Sequence, residues 1–355
     1  MVVKRWVAER KCLFGVSAYK IMKKMMDLLL RLLLRIKCKV MAYPYITQLY
    51  KNAYQVISNQ EYFEKWHNQE RMLADTLRME VYSQAIQKYI KKDDIVLDLG
   101  TGTGILAFFA AMRHPKKIYA IDHSDIIKMA KLIANHNNLS NIIFLEAHSK
   151  NVIIPEKVDV IVQEQMGTYL FNENMIESVI DLREKYLKTN GKIIPARFEL
   201  YIEPVQLNTE SRIPFLWEHE IQSINFAFIK SYHKEVSDYC YRELKNREVE
   251  FFLCQPEPMI AFDLEVMQQN ELPNTLHYRR KVVKSGRLDG FCFYFRAIVD
   301  DKISLTTSPL SERRAYHWPN LFYRVESKIY NINDVIQFTL NIGDLLDRNT
   351  WIWSD

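Results

Sequence analysis

Three glycines in alternate positions, placed directly after a short apolar stretch, constrain the fold of this chain more than any other feature. Ile95–Leu99 is an apolar run around one aspartate and predicts a buried strand. Gly100, Gly102 and Gly104 follow it, and Ile105–Ala111 is rich in helix formers. Because glycine has no Cβ and accepts positive φ, such a turn lets backbone N–H groups approach a ligand closely. The sequence therefore predicts an α/β fold with a small molecule at this turn.

The spacing of the glycines indicates which small molecule is expected. A dinucleotide site has the pattern G-x-G-x-x-G, whereas here the third glycine comes one position earlier, in D-x-G-x-G-x-G from Asp98 to Gly104. This pattern resembles motif I of the S-adenosylmethionine (SAM) methyltransferases. A second predicted strand, Lys117–Ile121, is followed by Asp122, whose carboxylate is placed to accept hydrogen bonds from both ribose hydroxyls. The alternative is an ordinary α/β turn without a ligand.

Alternating strand and helix patterns continue to about residue 195 and then stop. The remaining elements predicted in this region lie at 125–135, 142–145, 158–163, 174–186 and 191–195. The alternation predicts a parallel sheet, so we expect residues 41–195 to form a helical lid and a Rossmann-like domain. Strand patterns separated by turns then predict an antiparallel β-barrel or sandwich over residues 196–355, with strands at 198–204, 249–253, 287–295, 328–330 and 335–340. The expected fold class is α/β followed by all-β.

An aromatic segment at about 212–247 interrupts the second domain. It is partly helical in pattern and includes Phe215, Trp217, Phe226 and Phe228. Such a segment would expose a large aromatic surface on a monomer, so we expect it to be an interface.

The first 40 residues differ from the rest of the chain in charge. They carry eleven Lys and Arg against Glu9 and Asp27, so the remainder has a net charge of −4. Their pattern predicts a basic amphipathic helix that packs on its own protein or on a second subunit, with binding to a membrane surface as the less favoured alternative. Frequent charges argue against a transmembrane span. The mildly acidic body does not suggest a nucleic-acid groove and would tolerate a cationic substrate.

The cysteines give no indication of a metal site or of a disulfide framework. The five of them are scattered along the chain without C-x-x-C spacing. Such usage is typical of a protein in a reducing cytoplasm, which is the expected location.

Two acids in one loop carry the most specific chemical signal. Glu164 ends a predicted strand and Glu173 follows nine residues later, across a turn that contains Gly167. Two carboxylates converging in a closed cleft would raise each other's pKa and be costly without a cation between them. A guanidinium, which is planar and has five donors, matches such a pair best. The alternative is that both acids are solvated.

Several segments of residues 60–355 together resemble the class I protein arginine methyltransferases. The family's double-E loop has the pattern E-W-M-G-x-x-L-x-x-E, and this chain keeps all of it except that Gln165 replaces the tryptophan. Residues 72–78, which we expect to lie on one helix, are similar to the family's M-L-x-D-x-x-R segment. His317-Trp318 is similar to its T-H-W loop, with Tyr316 replacing the threonine. The segment at 212–247 matches the family's dimerisation arm in position and aromatic character, which implies a homodimer.

The resemblance implies a role for each matching residue. Glu164 and Glu173 would clamp the substrate guanidinium, while His317 and Asp75 would form a pair that accepts or relays the released proton. The remaining residues implied in the substrate pocket are Met72, Met175 and Trp318. Those implied in SAM binding are Gln69, Arg78, Gly100, Gly102, Asp122 and Ser149, with Arg78 on the SAM carboxylate and Asp122 on the ribose. Met72 and Met175 stand at positions that accompany asymmetric dimethylation in the family.

Departures from the family pattern leave the substrate open. Gln165 and Tyr316 change the pocket wall, and Lys150 stands about where the family has a glutamate that reads adenine, so that the backbone alone would read it. The expected activity is SAM-dependent methylation of arginine in proteins or peptides. The alternatives are methylation of free arginine or another small guanidino or amino compound, and a SAM-binding regulatory partner without catalysis.

Overall fold

The computed structural model describes residues 63, 65–232, 237–245 and 247–354. Residues 63–355 form one compact unit. The basic helix expected at 1–40 and most of the lid expected from residue 41 onward lie outside the described residues, and the domain boundaries stay predictions. Within the described ranges, no helix is both long enough and apolar enough to cross a membrane.

Two helices precede the first strand. They are α1 (Trp66–Ala74) and α2 (Thr76–Tyr89). We expected residues 72–78 to lie on a single helix, and this is wrong, because the backbone at Asp75 is extended, with φ −72° and ψ 94°. The Asp75 carboxylate accepts a hydrogen bond from the backbone N–H of Arg78 at 3.1 Å. Asp75 is therefore the N-cap of α2, where a short acidic side chain is more stable than inside a helix.

A five-stranded parallel sheet follows. Its strands are β1 (Ile95–Leu99), β2 (Lys117–Asp122), β3 (Ile142–Glu146), β4 (Val158–Gln163) and β5 (Leu187–Ile194). The helices between them are α3 (Ile105–Ala111), α4 (Ile126–His136) and α5 (Met175–Tyr186), with a 3₁₀ turn at Ser149–Asn151. The strand order is β3-β2-β1-β4-β5. Chain order reverses between β1 and β4, so a crevice opens there at the carboxyl ends of the strands.

The second half of the chain is antiparallel. Its largest sheet has the order β10-β6-β13-β15-β9, with β11 paired to β6 and β14 paired to β13, and a smaller sheet has the order β12-β16-β17. These strands are β6 (Arg197–Leu207), β9 (Tyr241–Leu244), β10 (Val249–Phe252), β11 (Ile260–Asp263), β12 (Thr275–Lys281), β13 (Gly286–Ile298), β14 (Ser304–Thr306), β15 (Asn320–Tyr330), β16 (Val335–Ile342) and β17 (Trp351–Ser354).

The aromatic segment expected to be an arm lies between β6 and β9. Its elements are short: 3₁₀ turns at Leu216–Glu218 and Ala227–Tyr232, a two-stranded hairpin of β7 (Glu220–Ile221) and β8 (Ile224–Asn225), and helix α6 (Ser237–Cys240). Large apolar side chains remain exposed here, including Ile224 at 64% and Phe228 at 72%.

One hydrophobic core joins the parallel and the antiparallel parts. It runs from Val96 on β1 and Ile161 on β4 to Phe198 on β6 and Phe295 on β13. The expected fold class is therefore confirmed. The continuous core also means that the antiparallel sheets hold their loops at a fixed position relative to the carboxyl edge of the parallel sheet.

Candidate active site

The glycine turn after β1 has the conformation that its sequence predicts. Gly100 and Gly102 have φ values of 72° and 52°. A Cβ added at Gly100 would first meet the side-chain amide of Gln165 at 3.5 Å, and one added at Gly102 would first meet the amide of Gln69 at 3.2 Å. Two side-chain amides therefore flank the turn.

Asp98 holds this turn in place, a role that we did not predict from the sequence. Its Oδ2 accepts hydrogen bonds from the Thr101 hydroxyl at 2.6 Å and from the Ala107 backbone N–H at 3.1 Å. Burial raises the pKa of Asp98 to about 7, although both hydrogen bonds oppose the rise. A lone acid inside an otherwise apolar strand was the signal available in the sequence.

Asp122 lies beside the turn, at the end of β2. Its Oδ2 accepts a hydrogen bond from the Gly102 backbone N–H at 2.9 Å, and its Oδ1 accepts one from the Ser124 hydroxyl at 2.6 Å. Oδ1 also accepts the Ser124 backbone N–H at 2.9 Å, so Oδ2 keeps one lone pair with which the group can accept a hydrogen bond from a ribose. These contacts fix the carboxylate before any ligand arrives.

The acidic loop starts at the neighbouring strand end, across the point where strand order reverses. Leu170 donates its backbone N–H to the carbonyl of Gly167 at 2.9 Å, which closes the turn between the two acids. Glu164 directly follows β4, and Glu173 lies two residues before α5. Each acid thus adjoins a regular element, Glu164 the end of β4 and Glu173 the start of α5, at the carboxyl edge of the sheet.

The two acids have different partners. Glu164, whose side chain is 9% exposed, forms an ion pair with the guanidinium of Arg78. Arg78 also donates from Nη1 to the Met72 carbonyl at 3.0 Å, and its buried Nε has no hydrogen-bond partner in the described structure. No hydrogen bond or ion pair within the described chain involves the Glu173 carboxylate. One acid is therefore neutralised and the other is not.

This asymmetry appears in the pKa values. Burial raises the pKa of Glu173 to about 8, and the neighbouring Glu164 carboxylate adds to the rise. Burial also raises the pKa of Glu164, but the Arg78 guanidinium opposes that change. A loop with an uncompensated, desolvated acid favours a cation as its ligand.

A loop from the antiparallel sheets closes one side of the site. The Trp318 indole donates to the Met166 carbonyl at 2.5 Å, and the Tyr316 hydroxyl donates to the carbonyl of Ala74. The Asp75 carboxylate accepts a hydrogen bond from the His317 backbone N–H at 2.8 Å. These contacts join the loop to both the acidic loop and the start of α2.

The expected pairing of His317 with Asp75 requires a correction. The contact uses the backbone of His317, whereas the ring Nδ1 is buried and has no partner among the residues described. Burial lowers the pKa of His317 to about 3, and the nearby Arg78 contributes to the decrease. The imidazole is therefore neutral at physiological pH and is a weak base, because its cationic form is desolvated and lies near another cation.

Comparisons with known proteins agree with this geometry. A sequence model of the ribosomal protein L11 methyltransferase (PrmA) family matches residues 75–195. Protein arginine N-methyltransferase 6 of Xenopus laevis is 32% identical over 310 residues, which cover 82% of this chain and 89% of the relative. The Xenopus tropicalis protein of the same name is 31% identical over 288 residues, covering 76% of this chain and 82% of the relative.

The chain belongs to the protein arginine N-methyltransferase family. Two solved structures share its fold. The Trypanosoma brucei PRMT1 enzyme–prozyme heterotetrameric complex with AdoHcy has a TM-score of 0.68 at 21% identity, covering 79% of this chain and 88% of that chain. Arabidopsis thaliana protein arginine methyltransferase 10 has a TM-score of 0.65 at 23% identity, with the same coverage. The family expected from the sequence is thus confirmed.

The other site residues expected from the family resemblance lie around the same crevice or beside it. Met72 is 7% exposed and Met175 is fully buried, so the two methionines contribute apolar surface. Gln69 is 6% exposed and donates from Nε2 to the Phe63 carbonyl at 2.8 Å. Ser149 is buried in the 3₁₀ turn after β3.

One departure from the family pattern, Lys150, lies in the 3₁₀ turn after β3. Lys150 forms an ion pair with Glu177 of α5 at 2.9 Å, and Asn174 donates to the same carboxylate at 2.9 Å. Within the described ranges, no group of three or more His, Cys, Asp or Glu side chains is arranged to hold a metal ion.

Proposed function

We propose that this chain is an SAM-dependent methyltransferase that modifies a guanidino nitrogen of arginine in proteins or peptides. The observation that carries the proposal is the pair of acids at the carboxyl edge of the sheet, of which Arg78 neutralises only Glu164. A guanidinium would supply the missing positive charge and five donors. The names of the relatives support the same reaction and the same substrate class.

The residues present fit SAM as the methyl donor. Gly100 and Gly102 have positive φ at the carboxyl end of β1, and Asp122 is fixed at the end of β2 with one lone pair of Oδ2 to spare. The unpartnered Nε of Arg78 is a buried donor that suits a carboxylate. SAM supplies an electrophilic methyl group on a sulfonium, whose positive charge is lost on transfer.

The protein's contribution would be alignment and charge placement. Glu164 and Glu173 would grip the guanidinium from two sides and point one terminal nitrogen at the donor methyl, while Trp318 fixes the acidic loop through Met166. Arginine is not deprotonated at neutral pH, so no strong base is needed before the step. Met72 and Met175 are both buried and would form the apolar wall that the family resemblance implies for asymmetric dimethylation, which is the product we propose.

Methyl transfer to a guanidinium forms a C–N bond, breaks the S–C bond and leaves one excess proton on the nitrogen. Glu173 suits the role of proton acceptor better than His317 does. Its pKa is raised to about 8, whereas the pKa of His317 is lowered to about 3. A carboxylate in contact with the reacting nitrogen also needs no relay.

Mass spectrometry of products from isotopically labelled SAM tests this function. An arginine-rich peptide, free arginine and agmatine are offered separately to the full chain, with Glu173→Gln as the inactive control. We expect label on the peptide, as mono- and asymmetric dimethylarginine. Label on arginine or agmatine alone would reassign the substrate class, and binding without transfer to any of them would make the chain a non-catalytic partner.

We further propose that the arm pairs two copies of the chain. Ile221, Ile224, Phe228 and Tyr232 are each more than half exposed, which a monomer would leave in water. A fold neighbour forms an assembly, the heterotetrameric Trypanosoma brucei complex. Sedimentation should give twice the chain mass for the wild type and a monomer for Phe228→Asp; a monomeric wild type would contradict the proposal. The cytoplasmic location stays a prediction.

A further inference from the structure

Gln165 stands in the acidic loop where the family pattern has tryptophan, and its side chain lies against the glycine turn. Its Nε2 would be 3.5 Å from a Cβ on Gly100. The backbone around it is fixed, because Gln165 donates its N–H to Gln163 Oε1 at 3.1 Å and Gln163 in turn donates from Nε2 to the Pro195 carbonyl at 3.2 Å. The amide of Gln165 is thus held at the first glycine of the turn.

The Gln165 Oε1 atom is a buried acceptor without a hydrogen-bond partner in the described part of the chain. Leaving a buried polar atom unpaired costs about 1–3 kcal/mol, and native proteins retain such atoms where a water, ion or ligand completes them. A second unpartnered buried atom has the opposite polarity, since Nε of Arg78 is a donor and the Arg78 guanidinium pairs with Glu164, the residue before Gln165. The acidic loop and its ion-pair partner thus hold one unpaired acceptor and one unpaired donor.

We infer that Gln165 Oε1 accepts a hydrogen bond from the α-ammonium group of the cofactor, whose α-carboxylate the family resemblance assigns to Arg78. This inference rests on the proposed SAM-dependent function. A zwitterionic amino-acid end has one cationic donor group and one anionic acceptor group, which matches the two unpaired atoms in kind. Tryptophan has only a donor N–H, so it could not offer this contact, and Gln165 makes recognition of the ammonium a property of this chain.

Calorimetry with two ligands tests the assignment without turnover. The ligands are S-adenosylhomocysteine and its desamino analogue, in which hydrogen replaces the α-amino group and the carboxylate is kept. Gln165→Met should weaken binding of S-adenosylhomocysteine by roughly 10- to 100-fold, the range for a lost hydrogen bond to a charged group. Binding of the desamino analogue should stay within about 3-fold of the wild-type value, and this binding also shows that the variant is folded.

Controls separate this inference from the proposed function. Gln337→Met makes the same change on the exposed side of β16 and should leave both affinities unchanged. If Gln165→Met does not fold, Gln165→Leu should give the same selective loss. Equal losses for both ligands, no loss for either, or a loss confined to the desamino analogue would overturn the role of Gln165. Failure of the wild-type chain to bind S-adenosylhomocysteine would instead overturn the proposed function together with this inference.

Discussion

The glycine turn and the acidic loop meet at the same edge of the parallel sheet, but they differ in how many of their acidic side chains have hydrogen-bond partners. In the turn, Asp98 and Asp122 each accept hydrogen bonds from neighbouring residues. In the acidic loop, Glu173 has no ionic or hydrogen-bond partner in the described chain and Gln165 Oε1 is unpaired. Both acids of the turn are therefore held by neighbouring residues before a ligand binds, although Asp98 Oδ1 is buried without a partner in the described chain. In the loop, by contrast, the whole Glu173 carboxylate lacks a partner, and a cation can supply one.

Replacing Glu173 should produce the largest effect, since it removes the carboxylate that would pair with the bound cation. For Glu173→Gln we expect turnover to fall by roughly 10²–10³-fold, the usual cost of removing one electrostatic contact to a transition state. The affinity for S-adenosylhomocysteine should change by less than about 3-fold, because the turn holds the cofactor contacts independently.

Single-turnover kinetics and calorimetry on the same preparations provide the measurement. Glu177→Gln is the matched control, because it removes an acid four residues later that already has Lys150 and Asn174 as partners. If Glu173→Gln lost cofactor binding and turnover equally, the division between the two regions would be wrong.

The second prediction concerns pH and the ligand-free protein. Glu173 has a folded pKa of about 8 against an ordinary value of 4.5, so the folded state keeps a proton that the unfolded chain has released. Stability that this group contributes below pH 4.5 is lost as pH rises toward 8. At about 1.4 kcal/mol per pKa unit, and allowing for partial exposure, we expect a loss of about 2 kcal/mol.

Thermal unfolding of the wild type and Glu173→Gln at pH 5, 6, 7 and 8 isolates this effect. Asp98 and Glu203, whose pKa values burial raises to about 7, shift the stability of both proteins in the same direction. The difference between variant and wild type should be near zero at pH 5 and should favour the variant at pH 8. A constant difference across this range would show that Glu173 is not desolvated.

The two regions also differ in how far the sequence predicted them. The glycine turn is local, because a strand, three glycines and a helix determine its shape within about fifteen residues. The partner of Glu164 is Arg78, 86 positions away along the chain, and no local pattern shows that such a pair forms. Likewise, the contact between Asp75 and the His317 backbone spans 242 positions. Family resemblance identified these residues but not their contacts.

In the antiparallel part, the prediction of strands from the sequence was limited for a different reason. Strand patterns predicted β6, β13 and β16, whose apolar residues are many. No strand was predicted at β12 (Thr275–Lys281), in which exposed and buried residues alternate but the last three residues are all basic. Only residues 328–330 of β15 were predicted, because the charged residues Arg324 and Glu326 interrupt the apolar pattern between the buried start of this strand and its end. Edge and half-exposed strands weaken the apolar pattern on which such predictions depend.

A third prediction tests whether the antiparallel loop supports the acidic loop. Trp318→Phe keeps most of the buried ring and removes the hydrogen bond to the Met166 carbonyl. We expect a stability loss of about 1–2 kcal/mol and a several-fold fall in kcat, because the acidic loop loses an anchor. Trp351→Phe is the control, since the Trp351 indole on β17 of the smaller sheet donates a similar hydrogen bond to the Asp344 carbonyl. Equal effects of both variants on kcat would argue against an anchoring role for Trp318.

The smallest effect is expected at Lys150, which forms an ion pair with Glu177. The pair with Glu177 is about half exposed on both sides, whereas the pair of Arg78 with Glu164 is almost fully buried. Exposed pairs contribute about 0–1 kcal/mol and are screened by salt, so Lys150→Met should change stability by less than about 0.5 kcal/mol. If the backbone near Ser149 reads the adenine, affinity for S-adenosylhomocysteine should change by less than about 3-fold. Calorimetry at low and at high salt measures this affinity. A tenfold loss would mean that the Lys150 side chain contacts the adenine, and that ligand-binding charges are not confined to the acidic loop.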